Sequence, residues 1–122
     1  MPTFNEGRHP AEFLLSEANG QRSRGNITIA ANQTIVPGSV LGQVTASGQW
    51  VGHDPAAVDG SRTAGAIALY GVQTGPAATF AISAIVREAE VNGKTLSYKA
   101  GLTAPQIAQI ATDLAGKQII VR

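Results

Sequence analysis

The chain of 122 residues contains no cysteine. Disulfides, thiolate metal sites and cysteine nucleophiles are therefore excluded, and the fold must be held by packing or by association between copies. Aromatic residues are scarce, at 5% of the chain, with a single Trp. Because 43% of the residues are nonetheless hydrophobic and 14 are Gly, the core must rest on close packing of small side chains. Neither sign of charge dominates. Nine basic and eight acidic residues leave a net charge of +1, which gives no general attraction to nucleic acid or to an anionic membrane. No apolar run approaches the roughly 20 residues of a membrane-spanning helix. No basic start followed by an apolar stretch marks a secretory signal, so synthesis and folding in the cytoplasm are expected. A chain of this length is one domain, long enough to bury about two-thirds of its unfolded surface.

What is present divides into two textures. Residues 1–25 carry Pro2, Pro10, Gly7, Gly20 and Gly25 around one apolar cluster, Phe13-Leu14-Leu15. Proline and glycine discourage a continuous helix here, and the segment reads as an extended arm. The alternative is that the cluster folds back on its own domain as a first strand. Residues 26–122 read as a β-rich domain. Asn26 to Ala30 alternates polar and apolar residues, as a half-buried strand does. Further strands are expected at 34–36, 40–45, 49–51, 65–72, 79–91, 95–99 and 118–121. Pro37-Gly38 fits a type II turn, and Asn92-Gly93 is the strongest hairpin signal. Residues 53–63 read as a loop. One helix is expected over 104–115. Thr103 and Gln106 form a capping box before it, Pro105 sits in its first turn, and Gly116 stops it. Its apolar stripe is Ile107, Ile110, Ala111 and Leu114.

Residues that carry chemistry are few. His53-Asp54 is the one adjacent histidine–carboxylate pair, but neighbours in extended chain point to opposite sides. A solvent-exposed loop histidine is the expected reading. Gly93-Lys94-Thr95 lacks the earlier glycine of a phosphate-binding loop, since Glu88 stands there. Glu88 and Glu90 read as an exposed strand face rather than a metal site. No metal, cofactor or catalytic residue is expected. Trp50 serves equally well as a core residue or as an interface anchor.

The order of features is informative. Glu12-Phe13-Leu14-Leu15-Ser16-Glu17 precedes Ser23-Arg24 and Ile27-Thr28-Ile29. Then follow Val36-Pro37-Gly38-Ser39-Val40-Leu41-Gly42, Gly65-Ala66-Ile67-Ala68-Leu69-Tyr70, Val86-Arg87-Glu88-Ala89-Glu90-Val91, and a terminal helix running into Gln118-Ile119-Ile120-Val121-Arg122. Over nearly the whole chain this resembles the head decoration proteins of tailed bacteriophages. The resemblance implies a mainly β fold, a β-tulip-like small barrel or sandwich with one C-terminal helix and an extended N-terminal arm. It implies a homotrimer on the outer surface of the expanded capsid, bound to the major capsid protein and stabilising the virion against packaged DNA. It further implies that residues 1–25 are the capsid-binding arm, with Phe4, Phe13, Leu14, Leu15, Ser16, Glu17, Arg22, Ser23 and Arg24 as its contacts, and residues 26–122 the decoration domain. On that reading Phe13→Ala with Leu14→Ala weakens capsid attachment and leaves the thermal stability of the free protein unchanged.

Ordering such an arm costs roughly 1–2 kcal/mol per residue. Three apolar side chains return only about 1.5–3 kcal/mol each. Main-chain pairing to a sheet edge is needed as well, and several arms on one oligomer add avidity. Two rival readings remain. One is a small β-barrel carbohydrate- or peptide-binding module with Trp50 as its platform. The other is an enzyme using His53.

Overall fold

The computed structural model describes residues 10–122. Their elements run β1 (Leu14–Glu17), β2 (Arg24–Ile29), β3 (Thr34–Ile35), β4 (Val40–Gln43), β5 (Trp50–Gly52), β6 (Ala64–Ala68), β7 (Val72–Gln73), β8 (Phe80–Ile85), β9 (Ala89–Val91), α1 (Ala104–Ala115) and β10 (Ile119–Val121). The fold is mainly β with one helix near its C-terminus. Five strands close into a barrel in the order β2-β5-β4-β6-β8. A three-stranded sheet, β1-β9-β10, and a short ribbon, β3-β7, complete it.

The scarcity of aromatics has its explanation in the barrel. Ile27, Ile29, Ile35, Leu41, Ala66, Ala68, Ile82 and Ala84 pack as one cluster. A five-stranded barrel encloses little space, and alanines on β6 and β8 keep it filled without strain. A second cluster holds Phe13, Val40, Ile67, Leu69, Ile85, Val91, Leu96, Ile110, Leu114 and Ile119, joining the barrel wall to α1 and the small sheet. Strand β6 contributes to both clusters and is buried along its whole length, which is why Ala64–Ala68 shows no polar alternation.

Several expectations are met locally. Gly38 has φ +87° and the Ser39 N–H donates to the Val36 carbonyl at 3.0 Å, the geometry of a type II turn. Thr103 caps α1, and the reciprocal bond from the Thr103 N–H to Gln106 Oε1 is 2.9 Å long.

Others are corrected. The strand expected over 79–91 breaks at residues 86–88, where Glu88 takes φ +52°. The Val86 N–H donates to the Ser23 carbonyl at 2.9 Å, and the buried Ser23 hydroxyl donates to the Glu88 carbonyl at 2.6 Å. This clasp turns the chain out of the barrel into the small sheet. The strand expected over 65–72 likewise divides at Leu69-Tyr70-Gly71. No hairpin follows Asn92-Gly93. The Asn92 carbonyl accepts from the Thr95 N–H, but the Gly93 N–H goes to the Arg122 carbonyl, and β9 pairs with β1 and β10 instead. Residues 95–99 form only a single bridge, Ser97 with Ser39. Gly116 stays right-handed, and the left-handed residue after α1 is Gln118, at φ +61°.

A boundary after Gly25 also fails to describe the fold. Phe13 is fully buried, β1 is a hydrogen-bonded strand, and β2 already begins at Arg24. Burying the Phe13 side chain stabilises by about 1.5–3 kcal/mol, which favours docking this segment on the domain. Residues 1–9 of the expected arm, Phe4 among them, lie outside the described residues.

Candidate interaction surface

The residues singled out in the first quarter separate by depth. Phe13 belongs to the core, and its carbonyl accepts from the Asn92 N–H at 2.8 Å. Leu14 is half-buried against the same cluster. Leu15 is 53% exposed and Ser16 is exposed too, because the register of β1 on β9 shifts between Leu14 and Ser16. A bulge of this kind leaves one residue unpaired and re-aims its side chain. Ser16 pairs with Glu90, and Glu90 with Ile120. Ile120 is 42% exposed. The outer face of the small sheet therefore carries Leu15 and Ile120 amid polar neighbours.

Ion pairs flank the small sheet. Arg24 grips Glu17 through two bonds, Nε to Oε2 at 2.9 Å and Nη2 to Oε1 at 2.8 Å. Those bonds hold the Glu17 carboxyl below its usual range and push the Arg24 guanidinium up. Arg22 meets Glu88 at 2.7 Å, and Arg122 meets Glu90 at 2.8 Å. Ser23 is not at the surface. It accepts from the Ala18 N–H at 2.8 Å while donating to Glu88, so it ties the β1–β2 connection down. The sequence singles out Ser23 as a contact, not as a buried clasp, and does not single out Ile120 as a surface residue. Ile119-Ile120-Val121 is apolar throughout, so no polar alternation marks the outward-facing residue.

Trp50 is half-buried, packed on the barrel cluster. Gly65 lies directly against the edge of its six-membered ring, where an added Cβ would meet Cη2 and Cζ3 at 3.1 Å. His53 is buried, contrary to expectation. Its Nε2 lies 2.9 Å from the Arg62 carbonyl, and its Nδ1 is buried with no hydrogen-bond partner among the described residues. Asp54 turns away to Lys99 at 2.9 Å and to the Ala56 N–H at 3.0 Å; these bonds, Lys99 first, keep its carboxyl low. The pair does not form a dyad. Glu88 and Glu90 each face an arginine, and no group of three potential metal ligands occurs among the described residues.

A short sheet with an apolar centre, polar neighbours and a β1 edge that has no strand partner among the described residues is suited to meet another protein. Compared with known proteins, the chain matches the family model described as bacteriophage lambda head decoration protein D over residues 3–119. No curated protein matches it.

Proposed function

This chain belongs to the bacteriophage lambda head decoration protein family, and we propose that it acts as a homotrimer that clamps the expanded shell against the pressure of packaged DNA. Members of the family are structural proteins of the phage head, and decoration of the capsid exterior is the role that membership carries. The family match over nearly the whole chain is the observation on which the reading rests. The outer face of β1-β9-β10 supports it physically. Leu15 and Ile120 are exposed there on strands whose outer edges have no strand partner among the described residues. Residues 1–9 lead into β1, and the same edge is where an N-terminal segment would carry pairing onto the shell.

The test is co-sedimentation with expanded, undecorated shells from the same phage. It compares the full chain, a chain beginning at Pro10, and Leu15→Asp with Ile120→Asp. Saturable binding by the full chain that is lost in the double variant supports the sheet face as the contact. Loss on removing residues 1–9 alone assigns attachment to that segment. Absence of binding by the full chain refutes the role.

A further inference from the structure

A second surface lies where the barrel is incompletely zipped. The Val86 N–H bond to the Ser23 carbonyl sets the phase of the antiparallel β2–β8 ladder, whose register runs from Arg24–Ile85 to Ile29–Phe80. Alternation then gives Gly25, Ile27 and Ile29 their bonds to β8, and turns the N–H and C=O groups of Asn26 and the N–H of Thr28 the other way. On that other side β5 meets β2 only at Ile29–Trp50. A strand edge is thus open beside a cavity of about 400 Å³. Its walls include Gly25, Asn26, Gln43, Trp50, Arg87 and Lys117.

Charge narrows the occupant. Arg87 donates to the Arg22 carbonyl at 2.7 Å, and neither Arg87 nor Lys117 has a carboxylate partner among the described residues. Among the described residues Arg62 and Lys94 also have no carboxylate partner, but neither lines this cavity. Unmade main-chain bonds ask for an extended backbone, and two unpaired cations ask for carboxylates. We infer that an extended, acidic segment of the capsid shell protein adds as a strand to β2 between Asn26 and Thr28, with its carboxylates on Arg87 and Lys117 and an apolar side chain against Trp50. This inference rests on the decoration role and adds a contact separate from the β1 face.

Site-resolved hydrogen exchange of the full chain, free and on expanded shells, tests it. The amides of Asn26 and Thr28 are expected to slow about tenfold or more on the shell. Arg87→Glu with Lys117→Glu, both on exposed side chains, is expected to raise the apparent Kd about tenfold at low salt without lowering the melting temperature of the free protein. Binding to shells with unchanged exchange at these two amides overturns the inference alone, as does undiminished binding by the charge-reversed variant. Protection that appears in the free protein and grows with its concentration assigns the slot to a second copy and likewise overturns it. Failure of the full chain to bind shells removes both this contact and the decoration role.

Discussion

Single residues decide where this fold begins. Phe13 is the clearest case, because its sequence neighbourhood reads as an arm while its side chain is fully buried. Phe13→Ala is expected to cost about 3–5 kcal/mol, read by chemical denaturation of the free protein. An unchanged midpoint would return Phe13 to the arm. Gly42 is constrained from outside its own strand: a Cβ there would collide with the backbone of Ser61. Gly42→Ala should destabilise by about 1–3 kcal/mol, and a null result in thermal melts would show that the 59–61 turn yields. Glu17 gives a pH signature. Arg24 depresses its carboxyl from the ordinary 4.5, so its contribution is complete above that value and is lost as pH falls through the lower folded value. Glu17→Gln should flatten that part of the acid-stability curve, measured as denaturation midpoints from pH 6 downward.

At the scale of elements, pattern reading succeeded where an element's partners are local and failed where they are distant. The helix was legible to the residue, because Thr103, Pro105 and Gln106 act within one turn. Thr103→Ala should cost about 0.5–2 kcal/mol, visible as a lower melting temperature; no change would mean that tertiary packing alone holds α1. Its stripe is narrower than the periodicity suggested. Ile110 and Leu114 are buried while Ile107 is 36% exposed, since α1 packs against the barrel only through its later turns. The 79–91 segment shows the opposite outcome. Its alternation is continuous in sequence, yet it serves two sheets, because Ser23, 65 residues away from Glu88 in the chain, holds the kink. Asn92-Gly93 makes its turn, but the strand that would complete a hairpin is displaced by β1 and β10.

For the whole molecule, the two cores share β6, so its amides should lie among the last to exchange. The expected order in native-state hydrogen exchange is Ala66–Ala68 slowest, with β1 and β5 opening earlier. Faster exchange in β6 than in β1 would contradict a barrel built around it. The interaction surfaces follow from the same arrangement. The small sheet is buried on its inner face by α1 and the barrel wall, so its outer face and edges are what remain for a partner. The slot beside β2 exists because β5 is too short to pair with the full length of β2.

The sequence by itself determined the class of the protein: mainly β, one capped helix near the C-terminus, small-residue packing, and membership of a family of phage head decoration proteins. These rest on composition, on local hydrogen-bonding chemistry and on the order of motifs, all of which are carried along the chain. Only the tertiary structure decided that Phe13 is core, that His53 is buried, that Ser23 is a clasp rather than a contact, and that Leu15, Ile120 and the β2 edge face outward. Each of those depends on which distant strand lies alongside. A shift of one residue in register exchanges the buried and exposed faces of a strand, and no local pattern encodes that choice.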